Sequence, residues 1–304
     1  MAICALDHRG SLMKMLNEEH PESVSYQAVV DFKLDLSQSL APHASAILLD
    51  PIYGAGQAIA AGVLPKNAGL LVSLEKSGYS GGAEARITDL LPGWSIRKVK
   101  KMGATGAKLL LYYRPDADVA KKQLDTVKRL ADDCLAEDMP FVVEPVSYKV
   151  GKAEAAPQNF AKVKPQLVIE TAKQITGLPI DVLKAEFPAD LKYEKDEGRL
   201  LDFCHQLNKA SQVPWVILSA GVNFELFHRE VKLACQAGAS GFLAGRALWQ
   251  EATQISSRQE RLAFLETTVA KRLKSLTELA NAYGTPWYSK VQSTEVDENW
   301  HRSY

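Results

Sequence analysis

Hydrophobic residues in this chain form eight short runs, and each run is followed by polar or charged residues and then by a helical pattern. Near-continuous runs rich in Val, Ile and Leu are typical of parallel strands that are covered on both faces. The pattern therefore predicts strands that alternate with helices. The eight predicted strands are residues 2–6, 45–50, 69–75, 107–113, 140–145, 180–188, 214–221 and 240–245.

The segments between these runs predict helices. Apolar residues recur about every 3.6 positions in 22–41, and 224–238 ends in a glycine, which is common just after a helix. The connection 76–93 is long for a compact domain, and such connections are more often functional. The other predicted helices are 116–138, 158–176, 194–211, a short one within GAGQAIAAG (54–62) and a long one from about residue 256.

Eight strands that alternate with helices over about 250 residues favour a (β/α)8 TIM barrel over an open, doubly wound sheet. No GxGxxG motif follows the first strand, which argues against a dinucleotide-binding fold. We see no linker, repeat or low-complexity segment. We therefore expect a single domain, with the barrel at about 2–255 and a C-terminal helix and tail at 256–304.

Composition narrows the partners. The 304 residues include 36 basic and 36 acidic side chains, so no positive surplus is available for nucleic acid or an anionic membrane. No stretch approaches the roughly 18 apolar residues that a membrane helix needs. The four cysteines are widely separated, and the first residues do not resemble a signal peptide, so we expect reduced thiols in the cytoplasm.

Catalytic residues of a TIM barrel lie at the carboxyl ends of its strands. Because polar side chains are rare in a barrel interior, several that converge at these ends indicate a site. The residues with useful chemistry at or near the predicted ends are Asp7, Arg9, Asp50, Glu75, Lys108, Glu144, Lys184, Glu186, Ser219 and Arg246.

Lys184 lies inside the predicted sixth strand, where a two-residue repeat turns it to the same side as Val182 and Glu186. Its stem could simply carry the ammonium to the barrel mouth and into water. Alternatively, partial desolvation and a second strand lysine, Lys108, disfavour the charged form, so that a nucleophilic amine becomes accessible. Such an amine forms a Schiff base with a ketone or aldehyde, and the iminium permits carbon–carbon cleavage without a metal ion.

Glu144 is a candidate general acid and base for this chemistry. It could equally be a carboxylate that pairs with Lys108 or Lys184, and the two interpretations are compatible. Asp7 could hold a substrate hydroxyl or the lysine pair, or it could only form a turn. Glu186 is more simply a salt-bridge partner for a neighbouring strand.

Two small-residue turns, LSAGVN (218–223) and AGRALW (244–249), follow the seventh and eighth predicted strands. Backbone N–H groups at such turns bind anions, and TIM barrels often bind phosphate at these two positions. Arg246 would add a charge-assisted contact, and Arg9, across the barrel, could hold a second anion.

The six histidines show no HxH or HExxH spacing, so we expect no metal site. His8 differs from the others because it lies between two candidate site residues. Tyr112 and Tyr148 could line a pocket. The aromatic residues Trp287 and Trp300 near the C-terminus hint at a homo-oligomer interface.

Seven motifs in order carry a family resemblance over residue 2 to about 290: ALDHRGSL, ILLDPIYG, LEKSGY, KLLLYY, DVLKAEFP, LSAGV and GRALW. Together they resemble the class I tagatose 1,6-bisphosphate aldolases. The segments YYRPD, FVVEPV, PWVILS and GASGFLAGRALW are more similar to the related sulfofructose 1-phosphate aldolases.

The resemblance implies that Lys184 forms the Schiff base, that Glu144 moves protons, that Lys108 is its cationic neighbour and that Asp7 orients substrate hydroxyls. It implies a second anionic group near Arg9 and a histidine, His8, in place of the family's usual glutamine, with a charge that depends on pH. The implied site for the C1 phosphate comprises Ser219, Ala220, Gly221, Gly245 and Arg246.

The implied reaction is the reversible cleavage of tagatose 1,6-bisphosphate, and of other ketohexose 1,6-bisphosphates, to dihydroxyacetone phosphate and glyceraldehyde 3-phosphate, with no cofactor. Cleavage of sulfofructose 1-phosphate is one alternative, because it shares the C1 half of the substrate. A barrel that binds a sugar phosphate as a sensor without turnover is another.

Overall fold

The computed structural model describes residues 1–291 and 296–302. Eight parallel strands pair in chain order, and the first also pairs with the last, so the sheet closes into a barrel. The predicted (β/α)8 barrel is thereby confirmed. The strands are β1 (Ala2–Leu6), β2 (Ala46–Leu49), β3 (Gly69–Ser73), β4 (Gly106–Tyr112), β5 (Phe141–Val146), β6 (Val182–Ala185), β7 (Trp215–Leu218) and β8 (Phe242–Ala244).

Helices follow the strands and cover the outside of the barrel. The α-helices are α1 (Gly10–Leu16), α2 (Tyr26–Leu40), α3 (Ala55–Ala60), α4 (Ile96–Lys101), α5 (Ala120–Ala136), α6 (Pro157–Ile175), α7 (Glu197–Ala210), α8 (Phe224–Gln236), α9 (Arg246–Trp249), α10 (Arg258–Phe264) and α11 (Ala270–Tyr283). A π-helical turn, Leu265–Val269, joins the last two.

All eight predicted strands are present, and the differences lie at their ends and in the short helices. The run predicted as strand 180–188 pairs only over β6, because the residues after it leave the sheet at the barrel mouth. The hydrophobic pattern did not predict α1 or α4, which have seven and six residues and are too short for a clear repeat. The long connection 76–93 folds back on itself through an antiparallel bridge between Ser80 and Ile87.

The alternation of side chains along the strands places the site residues. Inward-facing apolar residues fill the lower part of the barrel: Ile3, Ala5, Ala46, Leu48, Leu71, Val142, Val216 and Leu243. Asp7, Glu144 and Lys184 follow two residues after inward-facing apolar positions of β1, β5 and β6, so they point the same way, one layer higher. The polar layer therefore lies on an apolar floor.

The C-terminal helices pack on the barrel. Asp35 of α2 is fully buried, and it accepts hydrogen bonds from Arg258 at 2.8 Å and from Arg261 at 3.0 Å. These contacts fix α10 against α2. Trp287 and Trp300 are 49% and 40% exposed, and the homo-oligomer stays a prediction. Within residues 1–291 and 296–302, no helix is both long and apolar enough to cross a membrane.

A buried ion pair lies behind the end of β1. Lys33 of α2 bonds to the Asp50 carboxylate and donates to the Leu6 carbonyl oxygen at 2.7 Å. The other carboxylate oxygen of Asp50 accepts the N–H groups of Ile52 and Tyr53, each at 2.9 Å. Asp50 therefore does not contribute to the barrel mouth but connects the ends of β1 and β2 to α2.

We expect Asp50→Ala to lower the free energy of unfolding by about 3–5 kcal/mol, because it leaves the Lys33 ammonium buried without its partner. Urea denaturation measures this change. Lys121→Ala is the matched control: its exposed pair with Asp125 spans 3.5 Å, and its loss should cost less than about 0.5 kcal/mol. A change of under 1 kcal/mol for Asp50→Ala would contradict the anchoring role.

Candidate active site

A cavity of about 660 Å³ opens at the carboxyl ends of the strands, a volume that suits a small ligand. Two of the residues predicted for the site, Lys108 and Gly221, do not line it. Lys108 is fully buried and does not reach the surface of the cavity. The predicted residues that do line it are Asp7, His8, Arg9, Glu144, Lys184, Ser219, Ala220, Gly245 and Arg246.

Glu144 bridges the two strand lysines. One carboxylate oxygen lies 2.7 Å from Lys184 Nζ, and the other lies 2.8 Å from Lys108 Nζ. The barrel produces this contact because β5, which carries Glu144, lies between β4 and β6, which carry the lysines. The Lys184 side chain is only 5% exposed, so its ammonium does not extend into solvent.

The Lys108 ammonium contacts three carboxylates. Besides Glu144, it lies 2.7 Å from Asp7 Oδ2 and 3.0 Å from Glu75 Oε1. Burial alone would lower the pKa of Lys108, but Asp7, Glu144 and Glu75 together raise it well above its ordinary value. Lys108 therefore remains an ammonium ion.

The same contacts keep the carboxyl groups ionised. Burial would raise the pKa of Asp7 and of Glu144, but the charges of Lys108 and Lys184 outweigh burial and lower both values. In the polar layer each buried ammonium group thus contacts at least one ionised carboxylate.

Glu75 was noted at a strand end in the sequence but was not assigned a role in the predicted site. It is the last residue of the third predicted strand, is 5% exposed and lines the cavity. Glu75 lies an even number of residues after the inward-facing Leu71, and in a strand this spacing turns both side chains to the same face. That spacing was the signal in the sequence. That signal was ambiguous, because β3 itself ends at Ser73.

The His8 imidazole is partly buried: its side chain is 18% exposed and lines the cavity. Its ring meets the edge of Trp249 with 5.2 Å between ring centroids, and its Nδ1 has no hydrogen-bond partner among the described residues. Burial lowers the pKa of His8 to about 3; the Asp7 carboxylate opposes this shift and the Arg246 cation adds to it. With this pKa the imidazole is neutral from pH 5 to 8, whereas the resemblance implied a charge that depends on pH.

The two small-residue turns meet at Arg246. Ala220 and Gly221 adopt positive φ angles of 46° and 75°, and the Ser219 hydroxyl accepts the Gly245 N–H at 3.4 Å. A Cβ atom on Gly221 would lie 2.9 Å from the Arg246 guanidinium carbon. The positive φ of Gly221, more than its contact with this flexible side chain, favours glycine at this position.

Two helices begin at these turns. α9 begins at Arg246 and has only four residues, and α8 begins after an Asn223 cap whose side chain accepts the Leu226 N–H at 2.9 Å. The groups that the mouth could offer to an anion include the Arg246 guanidinium and the backbone N–H groups of the turns.

Arg9 lies against Glu75. Its guanidinium donates to the Glu75 carbonyl oxygen at 2.7 Å and is 3.9 Å from the Glu75 carboxylate. Glu186, expected as a salt-bridge partner, instead accepts the Ser147 N–H at 2.7 Å. Tyr112 lines the cavity as suggested.

Tyr148 does not line the cavity: its ring packs on the Arg86 guanidinium, whose carbon is 5.1 Å from the ring centroid. All four cysteines are buried and free. In the part of the chain that the structure describes, no three His, Cys, Asp or Glu side chains are grouped to hold a metal ion.

Comparison with known proteins gives a consistent result. A family model described as DeoC/LacD family aldolase matches residues 1–251. Tagatose 1,6-diphosphate aldolase 1 of Enterococcus faecalis is 35% identical over 307 aligned residues, which cover 95% of this chain and 92% of that protein.

Solved aldolase structures share the fold. A Schiff base-forming fructose-1,6-bisphosphate aldolase is 19% identical with a TM-score of 0.57, over 91% of this chain and 93% of that one. The fructose-bisphosphate aldolase of Plasmodium falciparum is 15% identical with a TM-score of 0.72, over 93% and 91%. At these identities the likeness establishes the barrel architecture only.

We expect the His8 ring to stay neutral between pH 5 and pH 8, because burial holds its pKa near 3. NMR chemical shifts of the ring carbons, assigned by their loss in the His8→Gln variant, measure this directly. A histidine-containing peptide in the same buffers is the control and titrates near pH 6.5. A His8 midpoint between pH 6 and 7 would show that the ring is not desolvated in solution.

Proposed function

The chain belongs to the DeoC/LacD family of aldolases, and we propose that it is a class I aldolase that cleaves tagatose 1,6-bisphosphate to dihydroxyacetone phosphate and glyceraldehyde 3-phosphate. The observation that carries this proposal is the contact of Glu144 with both Lys184 and Lys108, at 2.7 and 2.8 Å. It supplies an amine and a proton acceptor in direct contact, in a water-poor site.

Schiff-base formation begins with proton transfer from the Lys184 ammonium to Glu144. The free amine adds to the C2 carbonyl, and Glu144 returns protons to the oxygen, which leaves as water. Overall, one ammonium and one ketone give one iminium and one water molecule. Glu144 carries the protons between nitrogen and oxygen.

Cleavage uses the iminium as an electron sink. Glu144 assists removal of the C4 hydroxyl proton, the C3–C4 electron pair moves into the iminium to give an enamine, and C4 leaves as the aldehyde of glyceraldehyde 3-phosphate. Proton return to C3 and hydrolysis release dihydroxyacetone phosphate and restore Lys184. Lys108 stays charged and stabilises the carboxylate form of Glu144 between these steps.

The remaining residues orient the substrate. Asp7 and the neutral His8 offer hydrogen-bonding groups to the sugar hydroxyls. Arg246 and the turn at Ser219, Ala220, Gly221 and Gly245 bind the C1 phosphate, and Arg9 lies near the second anionic group. In this proposal the protein functions in the cytoplasm, and the helix and tail after about residue 255 complete one domain with the barrel.

Two alternatives share parts of the site. Other ketohexose 1,6-bisphosphates and sulfofructose 1-phosphate have the same C1 half and would form the same Schiff base. A sensor barrel would need the anion site but not a carboxylate placed between two buried lysines, so the Glu144 contacts favour an enzyme.

Incubation with tagatose 1,6-bisphosphate followed by borohydride reduction should attach the sugar phosphate to Lys184, because reduction converts an iminium into a stable amine. Intact and peptide mass spectrometry locate the adduct, and Lys184→Met is the control that should remain unmodified. Sulfofructose 1-phosphate and fructose 1,6-bisphosphate in the same assay rank the substrates. Absence of an adduct with all three, in folded protein, would refute the Schiff-base mechanism.

We expect Glu144→Gln to lower kcat by about 10²–10⁴-fold while the Kd for a non-cleavable ketose bisphosphate changes little, because the amide keeps the shape of the carboxylate but cannot accept a proton. Steady-state kinetics and calorimetry measure the two quantities. If the unmutated protein bound the ligand but showed no turnover, the sensor interpretation would be favoured instead.

A further inference from the structure

We propose that Glu75 is a positioning residue that holds Lys108 in place, so that Glu144 can take a proton from Lys184 without leaving a buried cation poorly compensated. This inference rests on the proposed aldolase function and extends it to a residue to which the mechanism assigns no step.

Glu75 is held by three contacts, two from β4 and one from Arg9 after β1. Its Oε1 lies 3.0 Å from Lys108 Nζ, its Oε2 accepts the Leu110 N–H at 2.9 Å, and its carbonyl oxygen accepts Arg9 at 2.7 Å. Leu110 pairs in register with Glu144. The position of the Glu75 carboxylate is thus tied, through β4, to that of Glu144.

The position of the Glu75 carboxylate affects the balance of charges around Lys108. The ground state contains three carboxylates, Asp7, Glu75 and Glu144, against the cations Lys108, Lys184 and Arg9. When Lys184 transfers its proton to Glu144, both groups become neutral. Lys108 is fully buried, and it then depends on the other two carboxylates for compensation.

Removing the charge of Glu75 would change this balance. Lys108 would then be compensated only by Asp7 and Glu144, and it would hold Glu144 more firmly in the carboxylate form. Glu144 would become a weaker base, so the proton transfer from Lys184 would be less favourable. Each oxygen of Glu75 already accepts one hydrogen bond, and Oε1 accepts it from Lys108, so we expect the effect of Glu75 to pass mainly through Lys108.

The test is Glu75→Gln in the full-length enzyme, because the amide oxygen can still accept the Leu110 N–H while the charge is lost. We expect kcat to fall by about 100-fold, as for other small misplacements of a catalytic group. We also expect the acid limb of the kcat/KM profile to move to lower pH, because loss of a nearby negative charge lowers the pKa of Glu144.

Two comparisons distinguish a positioning role of Glu75 from a role in stability alone. Glu84→Gln removes an exposed carboxylate from the same connection and should leave kcat and the pH profile unchanged. Glu75→Asp retains the charge and should restore the position of the acid limb. An unshifted acid limb in Glu75→Gln, with or without loss of stability, would overturn the proposal.

A comparison in the Lys108→Met background decides the case even if Glu75→Gln alone does not fold. If Glu75 acts through Lys108, the double variant Lys108→Met/Glu75→Gln has the same kcat as Lys108→Met; a further tenfold fall would overturn the proposal. Failure of the aldolase assignment itself is distinguishable, since the unmutated enzyme would then give no borohydride-trapped adduct.

Discussion

The contact of one carboxylate with two buried ammonium groups is the interaction on which the rest of this structure depends. An unpaired charge in a protein interior is strongly unfavourable, so Lys108 and Lys184 can be buried only where carboxylates reach them. Those carboxylates come from three different strands or strand ends. Glu144 lies on β5, Asp7 follows β1 and Glu75 follows β3. The barrel must therefore close before the charges are compensated, and the closed barrel in turn defines the cavity above them.

A second buried pair supports this layer from behind. Lys33 and Asp50 bind each other outside the barrel wall, and Lys33 also holds the Leu6 carbonyl oxygen, one residue before Asp7. The direction in which Asp7 points toward Lys108 therefore depends on α2, a helix that does not line the cavity. Stability and chemistry are coupled here through one peptide unit rather than through a shared side chain.

The mouth of the cavity shows how close packing selects residue types. A Cβ atom on Gly245 would lie 2.7 Å from the His8 ring, and one on Gly221 would approach the Arg246 guanidinium. His8 packs against Gly245 and Trp249, and this partial burial lowers the pKa of the imidazole next to an arginine. The turn that contains Gly245 thus also contributes to the protonation state of the neighbouring ring.

The apolar runs by themselves determined the eight strands and the barrel, because a buried parallel strand needs a local hydrophobic sequence. The two-residue repeat also placed Lys184 on the same side of its strand as Val182, and the motifs indicated the family. Only the tertiary structure decided that Glu75 joins Lys108, that Asp50 turns away toward Lys33 and that His8 is neutral. These outcomes depend on distances and burial between residues that lie far apart along the chain, such as Asp7 and Lys108, and a local pattern cannot encode which charges meet when the barrel closes.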